Sequence, residues 1–362
     1  MRRIPAPLPS RAYDVLVGRG CLGGLGGALA RRCPGGGAVV CCDENVAPLY
    51  LEQTRSSLRA AGYEVSHIVI PAGEGQKNLA RAEELYGVLY DRGVRRGDTV
   101  VALGGGVIGD LAGFVAATFQ RGVRLVQVPT TLLAQVDAAV GGKVAVDFRA
   151  GKNYVGTFYQ PWLVYMDLET LDTLPLRELR SGAAEVAKYA LLGGGDLWDR
   201  VARLAVPPLS AARVSQELVA GCVARKVAVV AGDEREQTGA RAVLNLGHTI
   251  GHAVEAATGF SRYTHGEAVG LGLHASLWLS RRLCGLDARE EARGQALLDG
   301  LGLPQRLTAV PVAAVCELTH RDKKAGRDGV GYVLLDALGS PRLDVRVPPE
   351  LEREVVEWLA KR

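Results

Sequence analysis

A cluster of histidines in the second half of the chain has the residue types and spacing of a metal or substrate site. Three of the six histidines fall between His248 and His265. In a helix, His248 and His252 share one face, so both imidazoles can reach one metal ion. Spacing alone therefore predicts a zinc pair that needs a third ligand, for which Glu185 is a candidate. The alternatives are ordinary core or surface histidines and a surface ion pair between Glu185 and Lys188.

A glycine-rich segment in the first half has the context of a nucleotide-binding loop. Gly104, Gly106 and Gly109 satisfy the pattern G-x-G-x-x-G between the apolar run Thr99–Leu103 and a helix-forming run. Glycines let the backbone approach a pyrophosphate, and the start of the following helix offers it free N–H groups. No acid follows at a second strand end, so this is not an ordinary Rossmann opening. The alternative is a tight turn that binds no ligand.

Further polar side chains follow predicted strands, at the edge where open α/β sheets bind ligands. They are Asp43, Asn45, Glu74, Lys77, Thr130 and Thr131. Each by itself could equally be a turn residue or a helix cap. Their convergence on several strand ends favours a dinucleotide.

Lysine is rare in this chain, which makes its positions informative. Only eight of the 43 lysines and arginines are lysine. Lysine is a compact point charge that binds phosphate or carboxylate, so lysines kept in an arginine-rich chain suggest a specific need, although chance and codon bias are the alternative. Seven lie within candidate motifs: Lys77, Lys143, Lys152, Lys188, Lys226, Lys323 and Lys324. A dinucleotide, a metal and several cations together suggest oxidation of an alcohol on a polyanionic substrate.

The order of the predicted elements indicates how these residues are positioned. Strand-like and helical runs alternate in the first half, which predicts a Rossmann-like α/β domain with a parallel sheet over residues 1–172. The predicted strands are 38–42, 65–70, 99–103, 124–128 and 163–166, with helices from about Ala47 and Leu79. Strand signals then almost vanish, and the amphipathic runs 211–230 and 267–282 predict an all-α domain over residues 173–362.

Composition limits the class of protein. A chain of 362 residues that is 48% hydrophobic favours two globular domains. A net charge of +4 without a long basic block argues against nucleic acid or an anionic membrane as the partner. The seven cysteines are odd in number and never spaced as C-x-x-C, which favours a reducing cytoplasm. The N-terminal residues lack an apolar signal region and no run is long enough to span a membrane, so neither secretion nor anchoring is expected.

The motifs, in their order from about Asp43 to Gly326, resemble the 3-dehydroquinate synthase family of the sugar phosphate cyclase superfamily. They are Gly104–Asp110, Gln120–Gly122, Pro129–Asp137, Gly141–Lys143, Gly151–Asn153, Ala184–Lys188, Asn245–His252, His265–Glu267 and Asp322–Lys324. The resemblance implies a cytoplasmic homodimer with its active site in the cleft between the two domains.

The implied reaction converts 3-deoxy-D-arabino-heptulosonate 7-phosphate to 3-dehydroquinate and phosphate, in the shikimate pathway. NAD oxidises one alcohol transiently, phosphate is eliminated, the hydride returns, and an intramolecular aldol step closes the ring. Such an enzyme is a carbon–oxygen lyase that depends on NAD and on zinc, with cobalt as the alternative metal.

The resemblance also implies roles for individual residues. The metal is expected on Glu185, His248 and His265, which moves His252 from the metal to the substrate. The implied NAD contacts are Asp43, Asn45, Glu74, Lys77, Gly104, Gly105, Gly106, Gly109, Asp110, Thr130, Thr131, Lys143 and Lys152. The implied phosphate contacts are Lys143, Asn153, His252 and one of Lys323 and Lys324, with Arg121 from a partner subunit. The implied carboxylate contacts are Lys226, Arg241 and Asn245, and those to substrate hydroxyls and metal-side oxygens are Asp137, Lys188 and Lys152.

Three other functions remain open. An aminodehydroquinate synthase or another sugar phosphate cyclase would keep the NAD and metal residues, although Lys226 together with Arg241 favours a carboxylated substrate. A metal-dependent polyol dehydrogenase would release NADH stoichiometrically, and the lysines expected at the phosphate argue against it. A non-catalytic NAD-binding protein would be expected to lack a metal ligand or several of the cations.

Overall fold

The computed structural model describes residues 1–149, 151–321, 325–326 and 329–362, and for residues 321, 325–326 and 329–330 it describes the backbone alone. Contacts divide the chain into two compact units. The first unit comprises Met1–Leu174 and Ser215–Arg235, and the second comprises Pro175–Val214 and Glu236–Arg362. The first segment ends close to the predicted division at residues 172 and 173. The segment Ser215–Arg235 lies beyond that division and nevertheless packs with the first unit.

Strands and helices alternate along the first unit, and helices dominate the second. The strands are β1 (Arg2–Pro7), β2 (Ala12–Gly18), β3 (Gly37–Asp43), β4 (Glu64–Ile70), β5 (Thr99–Gly104), β6 (Arg124–Pro129), β7 (Lys143–Phe148), β8 (Gly151–Phe158), β9 (Leu163–Asp167), β10 (Ala325–Gly326), β11 (Gly329–Ala337) and β12 (Ser340–Val347). The helices are α1 (Leu25–Ala30), α2 (Glu52–Ala60), α3 (Leu79–Asp91), α4 (Gly106–Thr118), α5 (Leu176–Gly193), α6 (Gly195–Leu204), α7 (Gln216–Gly232), α8 (His248–Ala257), α9 (His265–Leu283), α10 (Ala288–Gly300), α11 (Val312–Arg321) and α12 (Pro349–Lys361).

Seven strands of the described residues form the sheet of the first unit, in the order β1-β2-β9-β6-β5-β3-β4. The five predicted strands are all present and run parallel, which confirms the predicted α/β class. The antiparallel pair β1 and β2 was not predicted. Prolines at positions 5 and 7 make the sequence of β1 look like a loop. The strand tolerates them because it lies at the edge of the sheet, where a proline need not donate a hydrogen bond to a neighbouring strand.

The central strands of this sheet are buried on both faces. In β3, Val39 and Cys41 belong to one apolar cluster, while Val40 and Cys42 belong to the other. The first cluster includes apolar residues of α3 and α4, and the second includes those of α1 and α2. Because successive side chains of a strand point to opposite faces, an unbroken apolar run requires cover on both sides.

Helix α7 packs against β1, β2 and a π-helical turn at Ala134–Ala138, all in the first unit. Its buried residues include Leu218, Val219 and Cys222. The amphipathic pattern predicted this helix, but a periodic pattern does not reveal which domain covers its apolar face. This is why the sequence-based division assigned α7 to the second domain.

The second unit is mainly helical, as predicted, but the expectation of an all-α domain is wrong in one respect. Strands β10, β11 and β12 form an antiparallel sheet. Tyr332 and Leu334 of β11 pack into an apolar cluster with residues of α8 and α9. Gly339, at φ +90°, helps close the two-residue turn between β11 and β12. None of the helices in the described part of the chain is long and apolar enough to cross a membrane.

Helices α8 and α9 approach each other through glycines. A Cβ atom at Gly272 of α9 would lie 1.8 Å from the carbonyl oxygen of Gly247, which caps the start of α8. One turn further along α8, a Cβ atom at Gly251 would lie 3.2 Å from the backbone of Val269. The two backbones are therefore in direct contact, and this contact determines where His248, the first residue of α8, lies relative to α9.

We expect Gly272→Ala to lower the free energy of unfolding by about 2 kcal/mol or more, because the added methyl group overlaps the Gly247 carbonyl. Gly87→Ala is the matched control, since Gly87 is an exposed residue of α3 where an added methyl group would have no atom within 4 Å. The control should raise stability by about 0.5–1 kcal/mol. Urea unfolding followed by circular dichroism measures both. Equal midpoints for Gly272→Ala and the unsubstituted chain would contradict the close approach.

Candidate functional site

A buried carboxylate and two imidazoles converge in the second unit. Glu185 lies within α5, while His248 and His265 are the first residues of α8 and α9. The side chain of Glu185 is fully buried. Its Oε1 atom is 3.5 Å from Nε2 of His248 and 3.4 Å from Nε2 of His265. One ligand atom from each residue lies within 4.8 Å of the others, as a shared metal ion requires.

The other nitrogen of each imidazole has a partner that orients the ring. Nδ1 of His248 lies 3.0 Å from the carbonyl oxygen of Leu246, and Nδ1 of His265 lies 3.1 Å from Oε2 of Glu255. When Nδ1 donates a proton to these oxygens, the lone pair is on Nε2 and faces Glu185. One carboxylate and two oriented imidazoles are a donor set that fits zinc or a similar divalent ion.

The two histidines have opposite pKa shifts. Burial, reinforced by Lys188, lowers the pKa of His248 to about 3. Burial also acts to lower the pKa of His265, but hydrogen bonds to Glu185 and Glu255 outweigh it and raise that pKa to about 9. A neutral His248 is ready to bind a metal, while a protonated His265 balances the two carboxylates when no metal is bound.

Lys188 lies beside this centre and contacts Glu185 Oε2 directly. Both side chains are buried, so the alternative of a surface ion pair is wrong. His252, one turn along α8, is exposed, and its ring centre is 5.3 Å from that of His248. Among the described residues, no group of three candidate ligands contains His248 together with His252. The pairing that spacing alone predicted is therefore not the arrangement that the fold favours.

Glu255 was not singled out from the sequence, although it is the partner of His265. It is 2% exposed, and a buried carboxylate is a signal only once the fold is known. Its position three residues after His252 and seven after His248 is compatible with one helix face and could have indicated it. A second possible ligand group, His252, Glu255 and His265, shares two of these residues.

In the first unit, the glycine loop joins the end of β5 to α4, which begins at Gly106. A Cβ atom at Gly104 would lie 2.8 Å from the Ile108 side chain, and one at Gly109 would lie 2.9 Å from Gln127. Gly104 and Gly109 thus allow close packing of α4 on the sheet. Gly105 caps the helix, so the first N–H groups of α4 follow it in the position expected for a pyrophosphate site.

Next to the loop, Lys77 is buried among carboxylates. Its Nζ atom is 2.9 Å from Glu74, 3.3 Å from Asp110 and 4.0 Å from Asp147. Burial raises the pKa of Asp110 to about 6, although Lys77 opposes that shift. Lys152 reaches the same group, 3.7 Å from Glu74. Sequence reasoning missed Asp147, because it lies in a hairpin that the sequence did not reveal.

Other residues of the predicted NAD set take the turn and cap roles that the sequence also allowed. Asp43 Oδ1 accepts hydrogen bonds from the N–H groups of Asn45 and Val46, at 2.9 and 3.0 Å. Thr131 Oγ1 accepts one from Ala134 at 3.2 Å. Thr130 is buried and its N–H donates to the Gly104 carbonyl oxygen at 2.9 Å. Local turn chemistry therefore accounts for part of this set.

The predicted substrate residues of the first unit lie on different elements. Lys226 of α7 is buried, and its Nζ atom is 2.9 Å from Asp137 Oδ1 and donates to the Asp137 carbonyl oxygen at 2.5 Å. Lys143 and Asn153 are exposed residues of the hairpin β7–β8. Arg121, also exposed, has φ +62° at the end of the segment after α4.

In the second unit, Arg241 is buried and its Nε atom lies 3.5 Å from Glu236. Asn245 is half-buried and belongs to the same short 3-10 helix, Ala240–Asn245. Lys323 and Lys324 lie outside the described residues. The predicted roles of all these side chains stay predictions.

Solved structures of similar fold include sugar phosphate cyclases. A 2-deoxy-scyllo-inosose synthase in complex with carbaglucose-6-phosphate, NAD+ and Co2+ has a TM-score of 0.87 at 24% identity, covering 98% of this chain and 99% of that one. The 2-epi-5-epi-valiolone synthase of Streptomyces hygroscopicus, with NAD+ and Zn2+ bound, has a TM-score of 0.83 at 28% identity, covering 98% of each chain. The chain therefore has the fold of the sugar phosphate cyclase class.

Sequence comparisons identify the family within that class. The family model for the 3-dehydroquinate synthase N-terminal region matches residues 67–181, and the model for the C-terminal region matches residues 182–325. The 3-dehydroquinate synthase of Citrifermentans bemidjiense is 43% identical over 345 residues, which cover 94% of each chain. The chain belongs to the 3-dehydroquinate synthase family, and the resemblance inferred from its motifs is confirmed.

Glu185→Ala and His265→Ala are each expected to lose bound zinc after dialysis, because each removes one of three candidate ligands. His252→Ala should keep the metal and lose turnover, and His67→Ala, a histidine of β4, serves as the control for both properties. Metal content by mass spectrometry, with circular dichroism as the check on folding, separates the variants. Metal loss confined to His252→Ala would instead support a His248–His252 pair.

Proposed function

We propose that the chain converts 3-deoxy-D-arabino-heptulosonate 7-phosphate to 3-dehydroquinate and phosphate, as a carbon–oxygen lyase of the shikimate pathway. Its cofactors would be NAD and a divalent metal, zinc or cobalt. The observation that carries the proposal is the complete set Glu185, His248 and His265 in a chain whose family match spans both units.

The second unit would hold the metal and the reacting alcohol. Glu185, His248 and His265 would bind the metal, which when present lowers the pKa of a bound hydroxyl, while NAD accepts and later returns a hydride. The exposed His252 is within reach of a substrate at this centre, because its ring lies 5.3 Å from that of His248. Lys188 would offset the charge of Glu185 and contact metal-side oxygens of the substrate.

The first unit would hold the nucleotide. The N–H groups at the start of α4, after Gly105, suit the pyrophosphate. Lys77, held among Glu74, Asp110 and Asp147, provides a fixed positive charge beside the loop. Because these side chains are already paired with one another, little conformational entropy would be lost when NAD binds.

Two buried cations support a carboxylated substrate over those of other cyclases. Asp137 contacts Lys226 through both its carboxylate and its carbonyl oxygen. Arg241 faces Glu236 across 3.5 Å. Burial of a cation is costly unless anionic groups compensate it, and Asp137 and Glu236 provide that compensation here. Both cations would thus stay charged and held in place for a substrate carboxylate.

The decisive assay mixes the protein with sub-stoichiometric NAD and the heptulosonate phosphate. Phosphate should be released over many turnovers without lasting absorbance from NADH, because the hydride returns within each cycle. A chelator should abolish release and added zinc should restore it. NADH formed in proportion to product would instead support a polyol dehydrogenase, and absence of phosphate release would reject the proposal.

We further propose that the enzyme is a cytoplasmic homodimer and that Arg121 acts across the subunit interface. Arg121 is exposed in its own chain and follows Gln120, which is also in the left-handed backbone region, at φ +50°. Such a conformation is costly for a non-glycine residue, and strained residues of this kind are often found at functional sites. An exposed cation in a defined conformation suits a contact with an anionic group of another subunit.

Subunit mixing tests this role. Arg121→Ala and His252→Ala should each be nearly inactive alone, whereas mixed dimers should regain activity, because one of their two sites then combines both unsubstituted residues. The mixture is assayed for phosphate release after subunit exchange, with size-exclusion chromatography to establish the dimer. A mixture no more active than the average of the two variants would show that Arg121 acts within its own chain or not at all.

A further inference from the structure

Asp147 occupies an irregular point of the hairpin formed by β7 and β8. The regular pairs on either side of it are Val146 with Val155 and Phe148 with Gly151. Between these pairs, Asp147 alone on β7 faces three residues of β8, namely Lys152, Asn153 and Tyr154. Bulges of this kind redirect side chains and are enriched next to active sites. Two of the three bulged residues, Lys152 and Asn153, are those that the family resemblance connects with ligands.

The side chain of Asp147 holds this bulge. Its Oδ1 atom accepts a hydrogen bond from the N–H group of Asn153 at 2.7 Å. Asn153 has φ +54°, in the left-handed region that asparagine tolerates better than most residues. The bond therefore stabilises the one backbone conformation that determines where Lys152 and Asn153 project.

The same residue is joined to the nucleotide side of the unit. Its N–H group donates to the carbonyl oxygen of Lys77 at 2.8 Å, and its Oδ1 atom lies 4.0 Å from the Lys77 ammonium. That ammonium also contacts Glu74 and Asp110. Asp147 thus has one contact with the bulge and two with Lys77, although Lys77 lies far away in the sequence.

We propose that Asp147 is a positioning residue that couples NAD binding to binding of the substrate phosphate. NAD that contacts Lys77 would bias the contact of Lys77 with Asp147, Asp147 holds the backbone of Asn153, and the bulge then presents Asn153 to the phosphate with Lys152 beside it. By linkage, phosphate on the bulge strengthens NAD binding by the same factor. This inference rests on the proposed function, because NAD and the substrate phosphate are the two ligands of the proposed reaction.

The test measures this coupling without turnover. NAD is titrated by calorimetry into the full-length, metal-loaded protein, with and without saturating inorganic phosphate and with no heptulosonate present. In the unsubstituted protein, phosphate should lower the Kd for NAD by about fivefold or more. In Asp147→Ala the ratio of the two Kd values should fall to about one. In Asp147→Asn, which keeps an acceptor for Asn153 and loses the charge facing Lys77, the ratio should be reduced but not abolished.

Asp98→Ala is the matched control. Asp98 also holds loop backbone, accepting from Gly37 and Arg95 at 2.7 Å each, but it precedes β5 and so lies at the opposite end of that strand from the glycine loop. Both alanine variants should melt at a lower temperature, while Asp98→Ala keeps the coupling. An unchanged ratio in Asp147→Ala, an equal loss in Asp98→Ala, or no coupling in the unsubstituted protein would overturn the inference.

Two further comparisons keep the outcome clear. If Asp147→Ala does not fold, Asp147→Asn decides, and a ratio equal to that of the unsubstituted protein rejects the role. Phosphate release from the heptulosonate phosphate is measured on the same unsubstituted preparation. Release together with unaltered coupling in the variants rejects this inference alone, whereas absence of release rejects the proposed function.

Discussion

The buried carboxylate of Glu185 is the constraint on which the second unit depends. Removing a carboxylate from water costs on the order of several kcal/mol unless positive charge compensates it. Lys188, on the same helix, supplies part of that compensation, and His265 supplies more when it is protonated. A divalent metal would replace the proton on His265 and satisfy the same oxygens.

Close contact between helices α8 and α9 determines where the candidate metal ligands lie. The ligands come from three helices, and two of them, His248 and His265, are first residues of their helices. The glycines at 247, 251 and 272 let the backbones of α8 and α9 touch, so the relative position of these helices is determined by main-chain atoms. Contacts between main-chain atoms leave the two helices less freedom to shift than contacts between long side chains would. A metal site requires ligands that are held in this accurate way.

In the first unit, the buried Lys77 is the charge around which neighbouring elements are arranged. It contacts carboxylates from the loop after β4, from α4 and from the hairpin. The sheet provides the rigid frame, since its central strands are covered on both faces. The irregular hairpin carries Lys152 and Asn153 in its bulge. The sheet thus fixes the glycine loop, and the bond from Asn153 to Asp147 fixes the backbone from which Lys152 and Asn153 project.

The sequence by itself determined the parallel strands, several of the helices and the glycine loop, because strand and helix periods and glycine spacing are local properties. The ordered motifs also identified the family. Only the tertiary structure decided that His265 faces Glu185 while His252 lies to the side, that α7 packs with the first unit, and that Asp147 and Glu255 hold neighbouring groups in place. These depend on contacts between residues distant in sequence, such as Lys77 with Asp147 and Glu185 with His265. No local pattern specifies such contacts, since they follow from how the helices and strands pack.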